Sequence, residues 1–263
     1  MKAHRKSHAP TRALVLLPLA CLAAGAAWGA DDPMVGDWKL NPQKSTLIDE
    51  MKVASLGGNK YSFDLGGGSP ETIAVDGTDQ PGIAGTTLAV TAVSADEWRV
   101  VRKKNGSVEV TGIWTLSKDG ATLHDDFTGI SDNGNTIHLV YLYARRGGGP
   151  GFAGDWVSTS TQVDTVYVVQ VRPYEGDGLS IIYTSEGATR NLKFDGRDYP
   201  NPGSKTVSSA QRVNERTIEL TNKRDGKVVG TQQISVSEDG KTLTMTIHPA
   251  ERSEPNVLVF ERE

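Results

Sequence analysis

The chain has 263 residues, of which 37% are hydrophobic, 23% are charged and 6% are aromatic. These values are typical of a soluble globular protein and exclude the collagen-like, disordered and multi-pass membrane classes. Acidic residues outnumber basic ones by 32 to 28, so neither a nucleic acid nor an anionic membrane surface is an expected partner.

Residues 1–30 are typical of a secretory signal peptide. Four basic residues up to Arg12 precede an apolar run over residues 13–27, and the small residues Gly29 and Ala30 follow it. We therefore expect a periplasmic or secreted mature protein, with no later segment apolar enough to span a membrane. Cleavage near residue 30 would leave 24 basic against 32 acidic residues, a net charge of −8.

Cys21 is the only cysteine and lies inside this segment, so no intramolecular disulfide is expected. A lipoprotein signal in which Cys21 is acylated is the alternative. Pro18 and the apolar residues after Cys21 disfavour it, because such signals usually have Leu three residues before the cysteine and a polar tether after it.

The remainder of the chain is a tandem repeat. Gly36-Asp37-Trp38 returns as Gly154-Asp155-Trp156 at an offset of 118, and further matches follow in order at offsets between 117 and 120. We predict two repeats, residues 31–146 and 152–263, joined by a flexible Gly/Pro linker at residues 147–151.

Each repeat is patterned as short strands separated by tight turns such as Asn105-Gly106 and Asp119-Gly120. In the first repeat we expect about eight strands, near residues 34–41, 59–65, 70–76, 86–94, 97–104, 107–117, 121–130 and 136–146. The helical candidate is a short lid over residues 45–56. Eight hairpin-linked strands must bury one face and hide two edges. The predicted fold is therefore all-β, with two tandem antiparallel up-and-down β-barrels; a β-sandwich is the alternative.

The start of the first repeat, Val35-Gly36-Asp37-Trp38-Lys39-Leu40, resembles the Gly-x-Trp opening of the calycins, the lipocalins and fatty-acid-binding proteins. The Gly-x-Trp-Lys-Leu-Asn start is also similar to uncharacterised secreted bacterial proteins with one such unit. The end of each repeat looks like the calycin closing strand. The resemblance implies that Trp38 and Trp156 plug the closed barrel end, where an arginine of the last strand stacks over the indole. Arg145 and Arg262 are the matching positions.

Fatty-acid-binding proteins hold a carboxylate with an Arg-x-Tyr pair on the last strand. The matching positions are Tyr141 and Tyr143 in the first repeat, and Leu258 and Phe260 in the second. Neither repeat keeps the arginine, so an anionic head group would lack its charge-assisted partner. The absence of this arginine favours a neutral apolar or polar ligand, or no ligand.

Few residues can carry acid-base chemistry, because only three histidines follow the signal segment. If Asn133-Gly134 forms a two-residue turn, His124 faces Tyr143 and Asp126 faces Tyr141, all on one sheet face. His138 then lies on the other face with Asp125 and Phe127, and a slip of one residue would change this. Strand alternation would also separate His124 from His138, so no metal site is expected.

Three hypotheses remain open. The first is a binding protein for a small hydrophobic or mixed molecule, with no cofactor. Its lining candidates are Trp98, Trp114, Tyr141 and Tyr143 in the first repeat, and Tyr167, Tyr183 and Phe194 in the second. The second is an isomerase, lyase or hydrolase using His124, Asp126 and Tyr143. The third is a structural or interaction module of the cell envelope. The sequence gives no indication of the oligomeric state.

Overall fold

The computed structural model describes residues 32–66, 69–131, 134–201, 205–252 and 254–263. The expected signal peptide, with Cys21, lies outside the described residues. Within them the protein is all-β, apart from two short 3-10 turns at Pro42–Lys44 and Ile83–Gly85. No helix in this part of the chain has the length and apolarity needed to cross a membrane.

The strands up to the linker are β1 Gly36–Leu40, β2 Glu50–Gly57, β3 Lys60–Asp64, β4 Glu71–Ala74, β5 Gln80–Pro81, β6 Thr86–Ala92, β7 Glu97–Lys104, β8 Ser107–Leu116, β9 Thr122–Ile130 and β10 Thr136–Gly147. The strands after it are β11 Gly154–Val163, β12 Val168–Tyr174, β13 Gly178–Tyr183, β14 Ala188–Leu192, β15 Tyr199–Pro200, β16 Thr206–Asn214, β17 Thr217–Arg224, β18 Lys227–Val236, β19 Thr242–Pro249 and β20 Asn256–Arg262.

The described strands form two antiparallel ten-stranded sheets, each nearly closed into a barrel. The prediction of two β-barrels is therefore confirmed over the sandwich. One sheet runs β4-β3-β2-β11-β10-β9-β8-β7-β6-β5, and we call it the first barrel. The other runs β14-β13-β12-β1-β20-β19-β18-β17-β16-β15, and we call it the second barrel. Each encloses its own hydrophobic core.

The two barrels exchange their Gly-x-Trp strands. Strand β1 pairs with β12 and β20 of the second barrel, and β11 pairs with β10 and β2 of the first. The expected boundaries, residues 31–146 and 152–263, delimit the sequence repeats but not the barrels. The first barrel is built from β2 to β11, and the second is completed by the N-terminal strand of the chain.

The linker explains the exchange. Gly147 is the last residue of β10, and residues 148–153 connect it to β11. They make a tight connection that folds β11 back against β10, and consecutive strands with a short connection tend to pair. A Cβ atom at Gly148, which has a φ of +102°, would overlap the backbone of Gly154, so the close return requires glycine. Strand β11 thus occupies the place between β10 and β2, and β1 takes the vacant place between β20 and β12.

Both indoles lie under an arginine, as the sequence resemblance implies. Because of the exchange, each arginine comes from the other repeat: Arg262 on β20 covers Trp38, and Arg145 on β10 covers Trp156. The Arg262 guanidinium lies 4.0 Å from the ring centre of Trp38, and that of Arg145 lies 4.2 Å from Trp156. Both indoles are at most 1% exposed. Each indole N–H also donates to a backbone carbonyl four residues earlier, on Met34 and Phe152. A cation over a buried indole contributes on the order of 0.5 to 2 kcal/mol.

The helical prediction over residues 45–56 is wrong. Thr46 forms an isolated β-bridge with Val257, and β2 begins at Glu50. The apolar residues Met51 and Val53 alternate with exposed ones and point into the first core, which is strand periodicity. Pairing with β11 on one side and β3 on the other overrides the weak helical pattern.

Candidate functional site

The register between β9 and β10 differs by one residue from the expected one. Asp125 faces Tyr141, Leu123 faces Tyr143 and His124 faces Leu142. The connection spans residues 131–135, with Ser131 N–H donating to the carbonyl of Asn135. It is therefore longer than a two-residue turn, and Asn133 lies outside the described residues. A shift of one residue exchanges the two faces of a strand.

This shift separates the proposed catalytic residues. His124 and Asp126 lie on the outer face, where His124 is exposed. Tyr143 points inward and is 2% exposed. The sequence prediction that His124, Asp126, Tyr141 and Tyr143 share one face is wrong, so the structure does not assemble His124, Asp126 and Tyr143 into one site.

His138 shares the outer face with Asp126, contrary to the expected alternation. Its Nε2 lies 2.8 Å from Asp126 Oδ1, and its Nδ1 lies 3.2 Å from Asp164 Oδ2. The hydrogen bond to Asp126 raises the pKa of the imidazole, and Asp164 adds to the effect. Both ring nitrogens are thus engaged, and among the described residues no group of three His, Cys, Asp or Glu side chains could hold a metal ion. The arrangement links β9 and β10 to the segment that leaves β11.

The inner face of the first barrel carries a row of polar and aromatic side chains. Trp98, Trp114, Asp125 and Tyr141 are directly paired across the four neighbouring strands β7, β8, β9 and β10. The indoles of Trp98 and Trp114 lie 6.5 Å apart in a stacked arrangement. Further rings surround this row, namely Tyr61, Phe63, Phe127, Tyr143 and Phe152. The row thus surrounds the Asp125 carboxyl mainly with aromatic surface.

Burial raises the pKa of the Asp125 carboxyl. The residue is 6% exposed, and desolvation raises its pKa from 3.8 to about 7, although the Trp114 side chain donates toward the carboxyl and opposes the rise. The nearby Asp49 and Asp126 carboxylates raise the pKa further. Oδ1 of Asp125 has no hydrogen-bond partner among the described residues. A carboxyl with this pKa can bind or release a proton near neutral pH.

Asp49 brings a second carboxyl to the same interior. It lies between β1 and β2, where the chain passes from the second barrel to the first, and its N–H donates to the Oγ of Ser158 on β11. The Tyr143 hydroxyl donates to Asp49 Oδ2 at 2.7 Å. Burial raises the pKa of Asp49, while the hydrogen bond from Tyr143 and the charge of Arg252 oppose the rise. Burial and the two carboxylates also raise the pKa of Tyr141.

The same row in the second barrel is aliphatic. Ile218, Ile234, Met245 and Leu258 are paired across β17, β18, β19 and β20. These positions match Trp98, Trp114, Asp125 and Tyr141 at the repeat offsets of 117 to 120. The Asp49–Tyr143 pair is likewise replaced, because the matching Tyr167 and Phe260 form a ring contact with centres 6.3 Å apart. The barrel therefore does not require a carboxyl group at this level.

Gly112 allows Asp125 and Trp114 to pack closely against the β8 backbone. It lies next to the row, paired with Val100 and Phe127, and a Cβ atom there would be 3.0 Å from Asp125 Oδ1. The matching position in the second barrel is Gln232, which is 6% exposed and accepts a hydrogen bond from Arg190. The first barrel thus places a carboxyl group against a glycine where the second barrel has the side chain of Gln232.

The aromatic residues predicted as ligand contacts do line the barrel cores. Trp98, Trp114 and Tyr143 belong to the first core, and Tyr141 packs against it. Tyr167, Tyr183 and Phe194 pack against the second core. In the second barrel the buried acid Asp32 is paired with Arg212, whose guanidinium lies 4.7 Å from the ring centre of Phe194.

Exposure along the inner face of the first barrel shows which end is open. At the end capped by Trp156, the inward side chains of Leu116 and Leu123 are buried. Beyond the row, the inward side chains of Phe127 and Leu139 are only half-buried. Apolar side chains that point inward and remain partly exposed indicate that water reaches the interior from this end.

Two surface clefts lie away from this row. One, of about 790 Å³, is lined by the exchanged strands β1 and β11 together with β20, including Lys39, Thr161 and Glu261. The other, of about 620 Å³, lies beside the linker, next to Asp96 and Arg145. Neither contains a member of the row.

Sequence reasoning missed Asp49 and Gly112 and placed Asp125 on the wrong face. Asp49 lies in the segment for which the sequence predicts a helix, and a helix does not place this residue where the chain passes from one barrel to the other. For Asp125 a signal was available, because the repeat aligns it with Met245, a residue typical of a core. That substitution indicates an inward position.

No protein-family model matches the chain, and no curated protein matches it.

Proposed function

We propose that the protein is a calycin-like binding protein of the periplasm or the extracellular space, and that it holds a small apolar or mixed molecule inside the first barrel. The second barrel is a structural partner that lends its Gly-x-Trp strand and receives one. The observation that carries the proposal is the inward row Trp98, Trp114, Asp125 and Tyr141, whose counterpart in the second barrel is aliphatic.

Three features support binding over a purely structural role for this row. A buried carboxyl with an unpartnered oxygen lowers stability, and a core can avoid it, as Met245 does. Aromatic rings around a few polar groups are typical of small-molecule sites. The glycine at position 112 admits the Asp125 carboxyl at a place where the second barrel has Gln232.

The test is a fluorescence titration of the full mature chain with the neutral probe N-phenyl-1-naphthylamine, followed by probe emission and by quenching of tryptophan fluorescence. We expect saturable binding to the unchanged protein. Gly112→Gln, which installs the residue of the second barrel, should weaken binding at least about tenfold, because even its Cβ would lie 3.0 Å from Asp125 Oδ1 and the side chain would displace the carboxyl. The matched control Gln232→Gly should bind as the unchanged protein does.

If Gly112→Gln does not fold, Tyr141→Leu takes its place, since Leu258 is the matching residue of the second barrel. An absence of saturable binding would overturn the proposal and favour the envelope module. A loss caused by Gln232→Gly, with binding intact in Gly112→Gln and Tyr141→Leu, would overturn the assignment to the first barrel.

A further inference from the structure

The charges inside the first barrel are not balanced. Arg102 points inward one level from Gly112, but its guanidinium is bound to both carboxylate oxygens of Glu71, at 2.6 and 3.1 Å, and to the hydroxyl of Thr86. That ion pair is closed, with both side chains at most 14% exposed. The charge of Arg102 is therefore not available to Asp125.

Asp49 does not compensate Asp125 either, because it is a second acid. Its Oδ2 accepts from Tyr143, and the nearest cation, Arg252, donates to the backbone carbonyl of Ile48. The interior therefore holds a second acid, whose charge raises the pKa of Asp125. Only Asp125 combines deep burial with an oxygen that has no partner among the described residues.

The unpartnered oxygen lies among aromatic side chains. Gly112 supplies no side chain beside Oδ1, and the Trp114 and Tyr141 side chains flank Asp125 on the neighbouring strands. Phe127 meets Tyr141 edge to face at 6.2 Å. A carboxylate surrounded by aromatic faces is complementary to an organic cation, since both the charge and the ring quadrupoles attract it.

We propose that the ligand of the first barrel is an amine, protonated in the complex, whose ammonium group donates to Oδ1 of Asp125 and whose apolar or aromatic body packs against the rings of the row. The inference rests on the proposed function and narrows its ligand class. A carboxylate or phosphate ligand is excluded on the same grounds, because it would bring a third anion beside Asp49 and Asp125.

The experiment is displacement of N-phenyl-1-naphthylamine at pH 8 by three compounds of similar size: 2-phenylethylamine, 2-phenylethanol and 3-phenylpropionate. For the unchanged protein we expect the amine to displace the probe at least about tenfold more effectively than the alcohol, and the acid to be the weakest. In Asp125→Asn the preference for the amine over the alcohol should fall to within about twofold.

Asp126→Asn is the matched control. Asp126 is the next residue and also an acid, but it lies on the outer face against His138, so its loss should leave the preference unchanged. Equal displacement by amine and alcohol, retention of the preference in Asp125→Asn, or its loss in Asp126→Asn would overturn the inference while leaving the binding function intact. Failure of the probe itself to bind would instead overturn the proposed function, and the inference with it.

Discussion

The two barrels share a strand plan and a tryptophan-arginine cap but differ inside. At one level the first barrel presents Trp98, Trp114, Asp125 and Tyr141, and the second presents Ile218, Ile234, Met245 and Leu258. Because the repeats have the same architecture, the second barrel shows what folding requires at these positions. The polar groups of the first barrel are therefore an addition that the fold does not need, which is why we assign function to them.

The largest expected loss of stability follows from introducing a buried acid into the second barrel. Met245 is 1% exposed, so Met245→Asp removes buried apolar surface and adds a carboxyl with no donor among its aliphatic neighbours. We expect a loss of about 5 kcal/mol or more in the free energy of unfolding at pH 8. The loss should be smaller at pH 4, where the carboxyl is protonated. Urea denaturation at both pH values measures it, and Met245→Leu is the control for side-chain shape.

If Met245→Asp cost less than about 1 kcal/mol at pH 8, the second interior would tolerate charge as readily as the first. The contrast between the two barrels would then carry no functional information.

Asp125 should make stability depend on pH. Its pKa rises from 3.8 to about 7 on folding, so the folded state binds the proton more tightly than the unfolded chain does. The resulting stabilisation is complete below about pH 4 and is lost as the pH rises to 7, on the order of 4 kcal/mol in all. Asp125→Asn should match the unchanged protein at pH 4 and exceed it in stability at pH 8. Thermal unfolding of both proteins from pH 4 to pH 8 gives the comparison.

A constant difference between Asp125→Asn and the unchanged protein across that range would show that the carboxyl is hydrated in the folded state. Asp155→Asn serves as the control, since Asp155 is an exposed acid on β11.

The smallest effect concerns the hydroxyl that distinguishes Tyr143 from Phe260. Tyr143→Phe removes the hydrogen bond to Asp49 and leaves that carboxyl without its donor. We expect a loss of about 1 to 2 kcal/mol at pH 8. Phe260→Tyr, in the barrel where Tyr167 replaces Asp49, should also destabilise, because the new hydroxyl lacks the carboxylate acceptor. A gain from either exchange would contradict the assigned contacts.

The repeat and the barrel fold could be predicted from the sequence, because turn dipeptides and alternating apolar residues are local signals. The exchange of β1 and β11 could not, since it depends on how tightly the linker turns at Gly148 and on which strand edge remains vacant. Strand β2 was missed for a similar reason, because its pairing partner is the distant β11.

The site was predicted only in part. The aromatic contacts Trp98, Trp114, Tyr141 and Tyr143 follow from their positions in strands, and all four belong to the first core or pack against it. The acid was misassigned because a connection longer than the expected turn shifts the register by one residue, which moves Asp125 inward and His124 outward. Comparison of Asp125 with Met245 would have corrected this.

The account depends most on the state of one carboxyl group, and carbon-13 NMR of the side-chain carboxyl of Asp125 tests it most directly. The signal is assigned by its absence in Asp125→Asn and followed between pH 3 and pH 9. The account predicts a titration midpoint near pH 7, as burial requires, and a lower midpoint when 2-phenylethylamine is bound. A midpoint near 4 in the free protein, unchanged by the amine, would contradict both the buried acid and the binding role assigned to it.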